Sequence, residues 1–265
     1  MLKDISVGQY YPGDSIVHRL DPRLKIITVL MYIVTLFFID SYLPYLFIFI
    51  YLVLVIKVSG IPFSIILRGM RPLRWIILIT FIINLLFIRG EVIFKVAFIS
   101  ISREGVDTAI RMAIRLLLIV SGTSLLTLTT SPIEITDGIE ALLKPLNRIK
   151  VPSHEIAMMM TIALRFIPTL VEETDKIMKA QIARGADFES GNILRRAKNL
   201  VPLLVPLFIN SLRRADELAT AMEARCYRGG EGRTKFRILV LEKKDYVTFI
   251  LNMAFFVVII AWKYI

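Results

Sequence analysis

Apolar runs long enough to cross a lipid bilayer recur along this chain and constrain its fold more than any other feature. A membrane-spanning helix needs about 20 mostly apolar residues. Inside a bilayer the backbone can bond only to itself, so such runs are expected to be helices. The chain is 56% hydrophobic, which is typical of a membrane protein. Five runs fit this description: 24–39, 42–58, 73–88, 106–130 and 246–262.

The charges of the loops predict how these runs are oriented in the cell membrane. Loops rich in Lys and Arg stay on the cytoplasmic side. Residues 1–25 and the loop before the third run are basic, whereas the turn between the first two runs has no Lys or Arg. We therefore predict a cytoplasmic N-terminus, an N-terminal transmembrane region of about four spans (1–130), a cytoplasmic coupling-helix region (131–244) and a C-terminal transmembrane helix (245–265).

The region 131–244 is predicted to form long amphipathic helices that do not span the membrane. Ser131, Pro132 and Glu134 are typical of a helix start. A second helix is expected from about residue 153 to 185, and a third from about 192 to 226, each with one apolar stripe. The stripes comprise Leu164, Ile167, Leu170, Val171, Thr174, Ile177 and Met178 in the second helix, and Leu207, Phe208, Leu212, Ala215, Leu218, Ala219 and Met222 in the third. The predicted fold is an all-α polytopic membrane protein with about five transmembrane helices and this cytoplasmic set.

Two similar tripeptides end the second and third of these helices. Ala183-Arg184-Gly185 ends one, and Ala224-Arg225-Cys226 ends the other, 41 positions later. A single copy would be explained by helix capping, since Arg complements the helix dipole and Gly permits a left-handed stop. Two copies suggest two docking sites, because small Ala residues allow close approach and Arg can bind a carboxylate in a forked contact. The partner is then expected to be dimeric or pseudo-dimeric.

In these features the chain resembles the transmembrane T component (EcfT family) of energy-coupling-factor (ECF) transporters, a class of ABC transporter. The resemblance rests on RFIPTLVEETDKIMKAQIARG at 165–185 and PLFINSLRRADELATAMEARCYRGG at 206–230, and it covers essentially the whole chain. It implies a non-catalytic subunit that joins two ABC-type ATPases to a small membrane-embedded S component. That complex would take up vitamins or metal ions.

The resemblance also implies roles for particular residues. Arg184 and Arg225 would insert into grooves on the two ATPases. Ala183, Gly185, Ala224 and Cys226 would lie beside them. Cys226 replaces the family's glycine, so the resemblance leaves a left-handed stop at that end in question.

A second set of residues is predicted to face the S component, because they are apolar, lie on the amphipathic helices and fall outside the predicted spans. A run of Met residues also gives an adaptable surface. The set comprises Met158, Met159, Met160, Pro202, Leu203, Pro206 and Leu207.

Other chemistry has little support in the sequence. No G-x-x-x-x-G-K-[ST] stretch is present, so partner ATPases are expected to hydrolyse the ATP. One Cys and two well separated His residues predict neither a metal site nor a cofactor. Basic and acidic residues are mixed in region 131–244, which argues against nucleic acid as a partner.

Two alternative functions remain open on the sequence. A stand-alone secondary transporter would need ionisable residues inside its spans. Apart from charged residues within two positions of a span end, only Arg111 and Arg115 lie within one, and they too are near its end. A membrane protein whose basic cytoplasmic region binds anionic lipid is the other alternative. In every case the lipid bilayer is an expected partner.

Overall fold

The structure, a computed structural model, describes residues 10–96, 99–188, 190, 192–230 and 239–262. The chain forms two compact units. One contains residues 9–138 and 238–265, and the other contains residues 139–237. The described elements are almost entirely helical, as predicted. Helices α1 to α6 are Ile16–Arg19, Pro22–Phe38, Tyr42–Ser59, Phe63–Met70, Arg74–Phe87 and Arg103–Thr129, and α7 to α10 are Pro132–Leu143, Ser153–Ala183, Ile193–Ala224 and Lys243–Ala261.

Five helical stretches of the described residues are long and apolar enough to cross a membrane. Four of them coincide with predicted spans. The first predicted span, 24–39, is helical as α2, which has 17 residues. The fifth stretch is α8, which the sequence analysis assigned to the non-spanning region. The stretches are Tyr42–Ser59, Phe63–Phe87, Arg103–Thr129, Ser153–Ala183 and Lys243–Ala261.

The hydrophobic core of the first unit lies where α2, α3, α6 and α10 meet. Leu36, Ile48 and Phe256 are fully buried there. Gly122 of α6 packs against the ring of Tyr32, and a Cβ added at residue 122 would lie only 2.3 Å from Cε1 of that ring. A small residue at this position therefore lets α2 and α6 approach each other closely, which is a common way of packing helices in membranes.

The two arginines inside α6 complete the C-terminal end of α2. Nη2 of Arg115 donates a hydrogen bond to the carbonyl of Ile39 at 2.8 Å, and its Nε donates to the hydroxyl of Tyr45 at 3.0 Å. Nη1 of Arg111 donates to the carbonyl of Asp40 at 2.8 Å. These carbonyls follow a helix end, where no intrahelical donor is available. Both arginines are thus accounted for by helix capping.

Two loops of the predicted topology contain regular structure. Residues before the third span form α4 and a 3-10 turn, Arg71–Leu73, that continues into α5. Strands β1 (Val92–Val96) and β2 (Ile99–Ser102) pair antiparallel between α5 and α6. The sequence does not predict these two strands, because apolar residues without a clear period are compatible with either a strand or a loop.

Helix α7 begins with the predicted capping box. The backbone N–H of Glu134 donates to Oγ of Ser131 at 3.3 Å, and the N–H of Ser131 donates to Oε2 of Glu134 at 3.2 Å. Pro132 occupies the first helical position, where its missing N–H removes no bond. The sequence therefore predicted this helix start correctly.

In the second unit, α8 and α9 pack antiparallel along their lengths. Near the connecting loop, Gln181 donates to the carbonyl of Pro202 at 3.4 Å. Farther along, Oε1 of Glu173 accepts a hydrogen bond from Asn210 at 2.9 Å, and its Oε2 lies 3.6 Å from Nη2 of Arg214. At the far end, Gly230 lies against the side chain of His154. The pairs run in opposite directions along the two helices, which establishes the antiparallel hairpin.

The sequence only partly identified the packing faces of this hairpin. Six members of the predicted α8 stripe are half-buried, whereas Ile167 is exposed. In α9 the predicted stripe was partly wrong, since Phe208 and Leu212 are exposed. Leu207, Leu218 and Met222 of the predicted stripe are half-buried as predicted, and the polar residues Asn210 and Arg214 share their face. Apolar residues cover a wide arc of α9. Their spacing therefore could not show that Asn210 and Arg214 of α9 meet Glu173 where the two helices pack.

Candidate functional site

The two tripeptides lie at the C-terminal ends of α8 and α9, as predicted. Helix α8 ends at Ala183 and α9 at Ala224, and Arg184 and Arg225 are the residues that follow. The next residues have left-handed backbone conformations, with φ of 86° at Gly185 and 57° at Cys226. All six residues of the two tripeptides are exposed.

The hydrogen bonds at these two ends are the same, displaced by 41 residues. The N–H of Gly185 donates to the carbonyl of Ile182 at 2.9 Å, and the N–H of Ala186 donates to that of Gln181 at 3.0 Å. The N–H of Cys226 likewise donates to Glu223 at 2.9 Å, and that of Tyr227 donates to Met222 at 3.0 Å. This pair of bonds is the Schellman motif. Both arginines are therefore presented by the same local backbone.

Cys226 keeps this geometry although it carries a Cβ. The left-handed conformation costs about 1–2 kcal/mol for a residue other than glycine. Two hydrogen bonds to otherwise unsatisfied carbonyls of the last turn offset that cost. At Gly185 no atom lies within 4 Å of an added Cβ, so the position has room for a side chain. The exchange of glycine for cysteine therefore leaves the second helix end intact.

Neither Arg184 nor Arg225 forms a hydrogen bond through its guanidinium group, or an ion pair, with another described residue. Arg111, Arg115 and Arg214, by contrast, contact carbonyls, a hydroxyl or a carboxylate. The two helix-end guanidinium groups can thus donate all their hydrogen bonds to another molecule. Their five donors in a planar fork match a carboxylate.

The two arginines lie at opposite ends of the hairpin. The helices are antiparallel, so the C-terminal end of α9 lies beside the N-terminal end of α8, where Gly230 contacts His154. Helix α8 has 31 residues, and a rise of 1.5 Å per residue gives a length of about 45 Å. The hairpin can therefore engage two separate surfaces, one at each end.

The residues predicted to face an S component fall on different sides of the hairpin. Met159 and Pro202 are exposed, Met158, Met160, Pro206 and Leu207 are half-buried, and Leu203 is buried. The sequence analysis placed Phe208 and Leu212 among the apolar residues of α9 but did not distinguish an exposed stripe from the packed face. The members of the exposed stripe recur at three- and four-residue spacing on one side of the helix, and this periodicity was the signal that could have identified them. The exposed stripe comprises Val201, Leu204, Val205, Phe208, Ile209 and Leu212.

No group of three or more His, Cys, Asp or Glu side chains within the described ranges could hold a metal ion. His154 lies 3.2 Å from Glu140. His18 contacts Ser15 and the carbonyl of Tyr11. Both histidines therefore have partners of a structural kind.

Comparisons with known proteins identify the family of this chain. The sequence model of the CbiQ family, described as "Cobalt transport protein", matches residues 13–236. A relative from Clostridium kluyveri, named "Energy-coupling factor transporter transmembrane protein EcfT", is 59% identical over 249 residues, covering 93% of this chain and 92% of the relative. Relatives of the same name from Ruminiclostridium cellulolyticum and Bacillus subtilis are 52% identical over 265 residues (100% and 99% covered) and 49% identical over 246 residues (92% and 93%). The chain belongs to the EcfT family.

Membership of the EcfT family makes the chain a multi-pass component of an energy-coupling factor transporter in the cell membrane. Its complex therefore has other components. The family match spans residues 13–236 and so includes both helix ends and the exposed stripe. The EcfT resemblance inferred from the two tripeptides is thus confirmed.

Proposed function

We propose that this chain is the non-catalytic coupling subunit of its transporter and transmits ATP-driven movement from two ATPases to a substrate-binding S component. Arg184 and Arg225 dock the ATPases, one at each end of the α8–α9 hairpin. The observation that carries this proposal is the repeated helix end, with the same backbone bonds and an arginine side chain without a partner among the described residues. A solely structural cap would not need its guanidinium group exposed at both ends.

The docking chemistry follows from the arginine side chains. Each guanidinium would form a charge-assisted, forked contact with a carboxylate in a groove of one ATPase. Ala183 and Ala224 have small side chains, which let the ATPase surface approach each arginine closely. Gly185 and Cys226 turn the chain away from the contact. The separation of the two ends lets each one bind its own ATPase copy.

The exposed stripe of α9 supplies the surface for the S component. A contiguous exposed apolar surface on a helix of mixed charge marks an interaction site. Met159 is exposed nearer the other end of the hairpin, and there its flexible side chain would give a second, separate contact that can adapt to a partner. The S component would bind the vitamin or metal ion that is transported, and this chain would not.

We place the hairpin in the cytoplasm, although α8 is apolar enough to span a membrane. Helix α9 is not among the candidate spans, and it pairs with α8 along its length. The contact includes Glu173 and Arg214, a charged pair that a bilayer would exclude. Helix α8 therefore shares the environment of α9, on the side that the basic loops assign to the cytoplasm.

Cysteine labelling in intact cells tests this placement. Cys226 is exposed and is the sole cysteine, so it reports on one end of the hairpin. An Ala186→Cys variant in a Cys226→Ser background reports on the other. We expect a membrane-impermeant maleimide to label both positions only after the membrane is opened. Labelling of either cysteine in sealed cells would show that α8 crosses the bilayer.

Co-purification tests the proposed function as a whole. The tagged chain, extracted in mild detergent, is expected to bring down two ATPase copies and an S component, identified by mass spectrometry. The chain purified alone should neither hydrolyse ATP nor bind it specifically, because it has no phosphate-binding loop. Stoichiometric ATP binding by the isolated chain, or its recovery without any ATPase, would contradict the proposal.

A further inference from the structure

A short segment at the start of α2 contains charged side chains buried in the unit formed by residues 9–138 and 238–265. We call residues 21–25 (Asp-Pro-Arg-Leu-Lys) the DPRLK segment. Asp21 and Lys25 are buried, and so is Asp245, which lies 224 residues farther along the chain but contacts the segment. Charges are seldom buried unless they are paired or fully hydrogen-bonded. Their partners therefore show what the segment does.

Lys25 binds the place where the chain leaves α6. Its Nζ donates hydrogen bonds to the carbonyl of Thr129 at 3.1 Å and to Oγ1 of Thr130 at 3.2 Å. The third bond goes to the carbonyl of His18 at 2.9 Å. All three donors of the ammonium group are thus used. Thr129 is the last residue of α6, and both threonines are buried.

Asp21 and Arg23 bind the place where the chain returns to α10. Arg23 makes a forked contact with Asp21, with Nε 3.0 Å from Oδ1 and Nη2 2.7 Å from Oδ2. Nη2 of Arg23 also donates to the carbonyl of Leu239 at 3.0 Å. The backbone N–H of Asp21 donates to Oδ1 of Asp245 at 3.2 Å, and Oδ2 of Asp245 accepts from the N–H of Glu242 at 2.9 Å. Asp245 therefore caps α10 and holds the DPRLK segment at once.

These contacts make the arrangement specific and costly to disturb. Removing one partner leaves a buried donor or acceptor without a hydrogen bond. This costs more free energy than replacing both partners by apolar groups. Buried ionic groups are seldom the cheapest way to stabilise a fold. Their value here is geometric, since three residues of one short segment contact the chain both before and after the intervening stretch 131–238.

We propose that the DPRLK segment is the anchor that fixes both chain connections of the stretch 131–238 to the transmembrane helices. This inference rests on the proposed function: the two chain connections can carry movement of the docked hairpin to the membrane helices if they do not slip. Lys25 holds the outgoing connection at Thr129 and Thr130. Arg23 and Asp21 hold the returning connection at Leu239 and Asp245. They are positioning residues and touch neither nucleotide nor transported substrate.

The two connections can be released separately. Lys25→Met keeps a side chain of similar length and removes the ammonium group. Arg23→Lys keeps a cation beside Asp21 but has no planar fork with which to reach Leu239 as well. Arg19→Met is the matched control, because Arg19 is a nearby cation whose 3.7 Å pair with Asp14 is exposed, at 64% and 95% of the two side chains.

Hydrogen exchange and uptake are measured on the whole complex in the same membranes. We expect Lys25→Met to raise the rate of amide hydrogen exchange in residues 130–136. Arg23→Lys should raise that rate in residues 239–247. ATP hydrolysis should continue in both variants, while uptake per ATP falls by at least about tenfold, because each variant loses at least one hydrogen bond to a charged group. Arg19→Met should resemble the unaltered chain.

Three results would overturn the anchor: unchanged exchange at both connections, unchanged uptake per ATP, or exchange raised uniformly across α2, α3, α6 and α10, which indicates a general loss of stability. If the Lys25→Met protein fails to accumulate in the membrane, the Arg23→Lys variant alone tests the proposed anchor. Charge reversal at Arg184 and Arg225 in the same membranes tests docking independently. Normal assembly there would reject the proposed function and leave the exchange result as it stands.

Discussion

Charge reversal at both Arg184 and Arg225 is expected to abolish assembly with the ATPases and to abolish uptake. Both guanidinium groups are exposed and lack partners among the described residues, so the changes should hardly affect the fold of the chain. In the complex each arginine would be largely desolvated against a carboxylate. Truncating one member of such a pair costs about 2–5 kcal/mol. Glutamate should cost more, because it places like charges together.

Helix capping alone predicts a different outcome. A cation in the last turn contributes about 0.3–1 kcal/mol through the helix dipole. If that is its only role, the double variant should assemble and transport normally. Lysine at both positions should restore docking only in part, since it keeps the charge but lacks the fork.

Pull-down of the ATPases and uptake measurements, at matched protein levels, distinguish the two outcomes. The matched control reverses Lys176 and Arg213, one exposed cation on each of the same helices but away from their ends. A second control, Cys226→Gly, relieves the left-handed strain and should leave docking unchanged. Normal uptake in the double reversal would show that the two tripeptides merely end helices.

Replacing Leu204 and Phe208 by aspartate is expected to release the S component while both ATPases stay bound. Their side chains are 54% and 65% exposed in the chain, so most of their apolar surface is available to a partner. Burying such a side chain fully contributes about 1.5–3 kcal/mol. An unpaired carboxylate in the same contact adds a desolvation cost. The double variant should therefore lose uptake while ATP hydrolysis persists.

The measurement is the ratio of S component to ATPase in the purified complex. Ile149→Asp is the control, because Ile149 is an exposed apolar residue of the same unit outside α9. An unchanged ratio in the double variant would assign the stripe to lipid or to another surface. Loss of both the S component and the ATPases would instead indicate a damaged hairpin.

Local rules predicted the helix ends, since caps depend on a few neighbouring residues. Ser131 with Glu134, and Arg184 with Gly185, both lie where the sequence placed them. The conformation of Cys226 was harder to predict from the sequence. The left-handed region favours glycine over cysteine, whereas the two Schellman hydrogen bonds favour this conformation at residue 226. Only the folded chain shows which effect prevails.

Contacts between distant residues were beyond the sequence. Glu173 and Arg214 lie outside the predicted apolar stripes, yet they pair within the hairpin. The same limit hid Lys25, whose partners at Thr129 and Thr130 lie more than 100 positions away. A charged residue at the start of an apolar run suggests a cytoplasmic boundary, whereas its burial depends on which helices meet there.

The length of the hairpin has a mechanical consequence. Two points at opposite ends of a stiff rod approach each other only if the rod flexes. Proline removes one backbone hydrogen bond from a helix and clashes with the preceding turn, so helices bend most readily there. Helix α8 contains Pro168, and α9 contains Pro202 and Pro206. We expect the hairpin to bend at these three prolines. Their positions therefore determine how closely Arg184 and Arg225 can approach each other before the movement is transmitted to other parts of the protein.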